Sequence, residues 1–179
     1  MTSTPSPMEP GSEYEDNEAE PVILDGVRYR SRNEAKWAVF FQLIDWDAAY
    51  EKDRTGKWWV DFTIRTHDGR KVFAEVKPFI TELGWPTQSI HFVTEELRLK
   101  MLDAVNRGLC DEVVLLSNGA QNYGRHDRGY IGLRPRTEPG TEDGFPAKWE
   151  RVGLRAAPDG TYLYDFKPGP LPVTPEEKA

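Results

Sequence analysis

Two alternating segments joined by an Asp-Gly turn constrain this chain more than any other feature of its sequence. From Lys57 to Arg65, and again from Lys71 to Lys77, apolar residues alternate with polar ones, a pattern typical of strands with two different faces. The turn His67-Asp68-Gly69 lies between the two segments. We therefore predict an antiparallel hairpin, which ends at Pro78 because proline cannot donate to a sheet ladder.

Three charged residues fall together on this predicted hairpin. Glu75 and Lys77 are two apart on one strand, so their side chains leave the same face. Asp61 alternates with apolar neighbours on the other strand, where Val60, Phe62 and Ile64 point away from it. Two neighbouring carboxylates repel each other unless a cation lies between them. The hairpin therefore predicts a cation site, against the alternative of a solvated face with an ordinary salt bridge.

Magnesium is the cation that this set of groups suits. Mg²⁺ prefers oxygen ligands, often one or two carboxylates with waters and phosphate. Asp61 and Glu75 supply carboxylates, and the carbonyl of Val76 is a further candidate ligand. Lys77 would stabilise negative charge on a phosphate or help to deprotonate the attacking water. The expected chemistry is phosphodiester hydrolysis by metal-activated water, with Mn²⁺ as a substitute for Mg²⁺.

Shorter signals predict the other elements. Ser31 suits the N-cap of a helix that runs to about Ile44, and Glu34 three residues later completes a capping box. A crossover helix between two strands implies one parallel pairing. The other predicted elements are a hairpin around Asp25-Gly26, a strand Trp46–Glu51, a helix Thr94–Arg107, a buried strand Glu112–Leu116, a polar loop Gly119–Gly129, a strand Tyr130–Leu133 and a C-terminal hairpin of Trp149–Leu154 with Thr161–Phe166.

The segment WWVDFTI…VFAEVKP, preceded by YRSRNEAKWAVFF, resembles the PD-(D/E)XK nuclease superfamily. It is most similar to small phage and bacterial members that resemble Holliday-junction resolvases, T7-type endonucleases and the nuclease subunit of Tn7-like transposases. The resemblance covers about Tyr29 to Leu116 and departs from the family name at Val60, where the proline would stand. It implies catalytic roles for Asp61, Glu75 and Lys77. It also implies that an acidic residue of the first helix, here Glu34, completes the metal site, which competes with its capping role.

The fold that this resemblance implies is α/β, with a restriction-endonuclease-like core. A mixed central sheet would be flanked by helices in the order helix, three strands, helix, strand, with the C-terminal β-hairpin added. The implied activity is that of a Mg²⁺-dependent DNA endonuclease. The alternatives are an exonuclease or RNA-cleaving variant, and a non-catalytic DNA-binding or assembly protein on a nuclease-like fold. We expect the nuclease domain to span residues 22–168.

DNA is the expected partner, and four residues are candidates to bind it. Trp58 would stack on bases or wedge a duplex, Gln88 would contact phosphate or water, and Arg125 and Arg128 lie in the predicted polar loop. The alternative for Trp58 is packing in the core, and the alternative for the loop with Arg125 and Arg128 is simple exposure to solvent. A homodimer is a further expectation, since junction-cutting relatives are often dimeric.

Charge is distributed unevenly along the chain. The formal net charge is −7, yet residues 1–21 alone carry six acidic and no basic residues. We predict that 1–21 is a disordered acidic tail able to contact a protein partner, and that 169–179 is a flexible C-terminal tail. The part between the tails is close to neutral, so charge neither supports nor excludes nucleic acid. Without a signal segment or a long apolar run, we expect a cytoplasmic protein of a bacterial or phage-infected cell, away from membranes.

Overall fold

The computed structural model describes residues 20–78, 80–82, 85–88, 94–122, 128–136, 149–156, 159 and 162–165. Their helices and strands are β1 Val22–Leu24, β2 Val27–Tyr29, α1 Arg32–Leu43, β3 Asp47–Tyr50, β4 Arg54–Thr55, β5 Trp58–Trp59, β6 Phe62–Arg65, β7 Lys71–Val76, β8 Ile80–Glu82, β9 Trp85–Gln88, α2 Glu95–Asn106, β10 Glu112–Asn122, β11 Arg128–Pro135, β12 Trp149–Ala156 and β13 Tyr162–Asp165. No helix in this part of the chain is long and apolar enough to cross a bilayer.

A seven-stranded mixed sheet organises the molecule, in the order β13-β12-β11-β10-β7-β6-β3. Within it, strand β7 pairs antiparallel with β6 and parallel with β10. The predicted hairpin and the predicted parallel pairing are therefore both confirmed. The protein is an α/β protein with a mixed sheet and, in the described ranges, two helices.

Both faces of the sheet are covered by a helix. On one face, α1 contributes Trp37 and Phe41 to a core with Phe62 and Ile64 of β6. On the other face, α2 contributes Met101 and others to a second core. Strand β7 serves both cores, because Val72, Ala74 and Val76 face α1 whereas Phe73 faces α2. Burial of each large apolar side chain is worth about 1.5–3 kcal/mol, so β7 is held firmly in place.

Local signals fix the two helices where the sequence predicts them. Ser31 caps α1, its hydroxyl accepting from the amide of Glu34 at 3.2 Å. Thr94 caps α2 in the same way through the amide of Leu97. The hairpin of β1 and β2 around Asp25-Gly26 is likewise confirmed. A cap of this kind contributes about 1 kcal/mol and sets the first residue of the helix.

The predicted strand from Lys57 to Arg65 is wrong as a single element. The chain forms β5, which turns back on β4 across Gly56, and only then enters β6. Between them the amide of Val60 donates to the carbonyl of Asp53 at 3.2 Å. Consequently Val60 packs in the α2 core, while Phe62 and Ile64 pack in the α1 core. Val60, Phe62 and Ile64 alternate regularly in the sequence, so the pattern gives no sign that Val60 faces the other side of the sheet.

The C-terminal half contains more sheet than the sequence predicts. The hairpin of β12 and β13 forms as expected, but it joins the main sheet through pairing of β12 with β11. Strands β10 and β11 extend into the predicted polar loop, with a register shift between Leu116 and Gln121. Pairing with a neighbouring strand satisfies the backbone hydrogen bonds of these polar residues, so they form a strand despite their low intrinsic preference for one. The small β8–β9 hairpin was not predicted.

Candidate acidic site at the ends of β6 and β7

Asp61 lies immediately before β6, at the edge of the sheet where β6 begins and its antiparallel neighbour β7 ends. Phe62 pairs with Ala74, so one step further along the ladder Asp61 comes level with Glu75. Its carboxylate is 2% exposed, and Oδ2 accepts from the amide of Val76 at 2.7 Å. The carbonyl of Asp61 accepts from the amide of Glu51 at 2.9 Å, which ties the residue to the end of β3. The aspartate is therefore fixed on both sides by backbone.

Glu75 is buried beside Asp61, with both carboxylate oxygens in use. Oε2 accepts from the indole Nε1 of Trp58 at 2.7 Å, and Oε1 lies 2.8 Å from the ammonium of Lys77. The side chain of Lys77 is 30% exposed, so the ammonium lies where the buried carboxylates meet solvent. The amide of Lys77 donates to the carbonyl of Leu116, which continues the parallel pairing of β7 with β10. The structure thus brings Asp61, Glu75 and Lys77 to one place.

Glu34 reaches the same place from the first turn of α1. Its Oε2 accepts from the amide of Arg30 at 3.0 Å and from the hydroxyl of Tyr50 at 2.5 Å. Instead of completing the predicted capping box at Ser31, the carboxylate binds the amide of Arg30, the residue before the N-cap, and it remains close enough to raise the pKa of Asp61. Burial and the bond to Glu34 raise the pKa of Tyr50, so its hydroxyl stays protonated and donates. One carboxylate consequently serves both the helix start and the acidic cluster.

The electrostatics of the cluster show an excess of negative charge. Burial, followed by the charge of Glu75, raises the pKa of Asp61 to about 8. The charge of Glu34 adds to the effect, whereas the Val76 amide and Arg30 oppose it. A carboxylate whose pKa is raised in this way is stabilised by any further cation that comes close to it.

Arg30 is the residue that the sequence analysis missed. Its guanidinium forms an ion pair with Asp61 through Nη2 and another with Glu51 through Nε, at 2.9 Å in the second case. Burial opposes the charged form, but Asp61 and the other partners outweigh it and raise the pKa of Arg30. Glu51 adopts φ 46°, a left-handed conformation that is costly for a residue with a side chain.

One signal in the sequence could have pointed to Arg30. It is a basic residue directly before a helix whose first turn carries a candidate metal ligand.

The N-terminal half of α1 is hydrogen-bonded to the middle of β10. Trp37 donates through Nε1 to the carbonyl of Ser117 at 2.7 Å, and Asn33 donates to the same carbonyl at 3.3 Å. Ser117 directly follows Leu116, the residue that receives the Lys77 amide. The helix that carries Glu34 and the end of β7, next to Lys77, are therefore both held by the Leu116–Ser117 segment of β10.

Of the four residues predicted to bind nucleic acid, Trp58 is placed differently from expectation. The ring of Trp58 is buried against Phe73 and donates to Glu75, so it does not offer a face to a base. Its neighbour Trp59 is 46% exposed, with the guanidinium of Arg54 at 5.1 Å from the ring centroid. Neighbouring residues on a strand face opposite ways, so only one of the pair could be exposed. Arg125 lies outside the described residues, and of Gln88 and Arg128 only the backbone is described, in β9 and β11.

The donor set fits Mg²⁺ in its chemistry. Asp61 and Glu75 are hard oxygen donors in a buried, electron-rich position, the kind of pair with which Mg²⁺ combines waters and phosphate. Over the described ranges no group of three or more His, Cys, Asp or Glu side chains is arranged to hold a metal ion. Two carboxylates suffice for Mg²⁺ provided that Arg30 and Lys77 make room. The side chain of Arg30 is 53% exposed and that of Lys77 is 30% exposed, so both reach solvent and can do so.

No family model, no curated protein and no solved structure matches this chain. What the site does must therefore be argued from its own geometry.

Proposed function

We propose that this protein is a Mg²⁺-dependent nuclease that hydrolyses DNA phosphodiester bonds. The observation that carries the proposal is the convergence of two buried carboxylates, Asp61 and Glu75, with the ammonium of Lys77 at the exposed edge of the cluster. Burying two carboxylates side by side costs stability unless they serve a cation.

Each side chain has a distinct part in the proposed reaction. Asp61 and Glu75 would hold Mg²⁺, with the Val76 carbonyl as a further ligand and Glu34 completing the acidic surroundings. When bound, Mg²⁺ supplies Lewis acidity to the phosphodiester and acidifies a water. Lys77 would hold the phosphate oxygens and stabilise the charge that grows on them. The Trp58 indole would orient Glu75, since its hydrogen bond fixes one carboxylate oxygen.

A plasmid-nicking assay tests the proposal directly. Glu75→Gln keeps the shape of the side chain and Lys77→Gln removes the ammonium, and each should lower the Mg²⁺-dependent nicking rate by at least about a hundredfold. Glu96→Gln and Lys100→Gln are matched controls, because this pair lies on the exposed side of α2 and should leave the rate unchanged. Nicking by purified Glu75→Gln at the wild-type rate would remove the proposed site. A panel of duplex, single strand, flap, four-way junction and RNA then defines the substrate and separates endonuclease from exonuclease cleavage.

A second candidate function is non-catalytic DNA binding or assembly on the same fold. It is favoured by one observation, that Asp61 already has Arg30 as a counter-ion and Glu75 has Lys77. A site of this kind would bind DNA without cutting it and would show no heat of Mg²⁺ binding. Calorimetric titration with Mg²⁺ distinguishes the two candidates before any substrate is known.

A further inference from the structure

Arg30 occupies the position from which a cation neutralises the acidic cluster. Its backbone is fixed, because the Arg30 amide donates to Glu34 at 3.0 Å and lies 3.0 Å from the Tyr50 hydroxyl. Its guanidinium contacts three carboxylates: Asp61 through Nη2, Glu51 through Nε at 2.9 Å, and Glu34 at 3.9 Å. The position from which the Arg30 side chain starts is therefore fixed by the backbone.

The two sides of this ion pair differ sharply in exposure. The side chain of Arg30 is 53% exposed, whereas that of Asp61 is 2% exposed. Because the aspartate is fixed by the Val76 amide, only the guanidinium can move without breaking the core. A divalent ion that binds Asp61 must share it with a monovalent cation or displace that cation. The exposed partner is the one that gives way.

We infer that Arg30 is a resident counter-cation that competes with divalent metal for Asp61 and, once displaced, contacts a phosphate of the substrate. The inference rests on the proposed function, since it requires a metal at Asp61. The planar guanidinium fork matches phosphate as well as carboxylate, so the displaced side chain gains a partner when substrate is present. Metal and nucleic acid then bind with positive cooperativity, because each favours the state in which Arg30 has left Asp61.

Mg²⁺ affinity of Arg30→Gln tests the competition. Measured by calorimetry at about pH 8.5, where protons compete least for carboxylates, Arg30→Gln should bind Mg²⁺ about tenfold more tightly than wild type, equivalent to about 1.4 kcal/mol. The same variant should melt at a lower temperature in EDTA and recover in Mg²⁺. Arg32→Gln is the matched control, an exposed arginine two residues away that should behave as wild type.

Each outcome decides the matter. Unchanged or weaker Mg²⁺ affinity in Arg30→Gln would overturn the competition and leave the proposed nuclease standing. Absence of Mg²⁺ binding in both wild type and Arg30→Gln would instead remove the proposed function, and this inference with it. Should the glutamine variant fail to fold, Arg30→Met, which keeps the aliphatic stem without the charge, should show the same tighter Mg²⁺ binding, and an unchanged affinity would overturn the competition.

DNA affinity tests the phosphate contact. In Ca²⁺, used in place of Mg²⁺ as the divalent ion, fluorescence anisotropy of a labelled duplex should show tighter binding by wild type than in EDTA. The gain on adding Ca²⁺ should be at least about threefold smaller in Arg30→Gln than in wild type or Arg32→Gln. Equal gains in all three proteins would show that Arg30 does not pass to phosphate.

Discussion

Asp61→Asn in metal-free buffer should make the protein more stable at high pH. The folded-state pKa of Asp61 is raised from 3.8 to about 8, because the buried carboxyl lies beside Glu75. Between those values the folded state binds more protons than the unfolded state. The wild-type free energy of unfolding therefore contains a favourable contribution from Asp61 below about pH 4, which is lost as pH rises through about 8.

The size of the effect follows from the same values. At about 1.4 kcal/mol per pH unit, a shift of about four units sets an upper limit of about 6 kcal/mol. The half-exposed Arg30 can adjust to the charged carboxylate, and effective protein dielectric constants are nearer 20 than 4, so we expect about 2–3 kcal/mol. The amide that Asp61→Asn introduces carries no titratable proton, so that variant lacks this contribution to the pH slope.

Urea unfolding in EDTA from about pH 5 to about pH 9 measures both slopes. The wild-type curve should fall below the Asp61→Asn curve as pH rises, and Mg²⁺ should lift only the wild type back. Parallel curves across the range would show that the pKa of Asp61 is not raised in the folded protein. In that case the electrostatic argument for an electron-rich cation site would fail.

Three further perturbations have defined outcomes. Trp58→Phe removes the donor to Glu75 and some packing volume, so it should cost about 1–3 kcal/mol in urea unfolding; the cost should be smaller in a Glu75→Gln background, because a neutral amide oxygen loses less than a buried carboxylate when its donor is removed. Trp59→Ala should weaken single-stranded DNA binding about tenfold, the scale of one lost stacking contact; equal weakening by Leu43→Ala, an exposed apolar control on α1, would refute stacking. Gly132→Ala would place Cβ 1.9 Å from the Leu115 carbonyl oxygen and should cost at least about 3 kcal/mol or prevent folding; a loss under about 1 kcal/mol would contradict the close approach of β10 and β11.

Features governed by near neighbours could be predicted from the sequence. Ser31 and Thr94 each cap a helix through an amide three residues away. The β6–β7 hairpin follows from alternation and its turn, and that hairpin carries Asp61, Glu75 and Lys77 together. The candidate acidic cluster was therefore visible in one short stretch of the chain.

Features governed by distant partners could not be predicted. Arg30 meets Asp61 across 31 residues, and Trp58 meets Glu75 across 17, so neither contact leaves a local pattern. The displacement of Val60 to the α2 core depends on its bond to Asp53. The extension of β10 past Leu116 depends on β11, which follows later in the chain.

The parallel junction of β7 with β10 has a consequence for how the protein acquires its site during folding. Hairpins such as β6–β7 and β11–β12 join strands that follow one another, whereas β7 and β10 must meet across a long intervening stretch that includes α2. Closing such a loop loses chain entropy before any contact compensates it, so this junction should close late. Since the Lys77 amide is held by Leu116 across it, metal binding should return with the slowest refolding phase, after most secondary structure has formed.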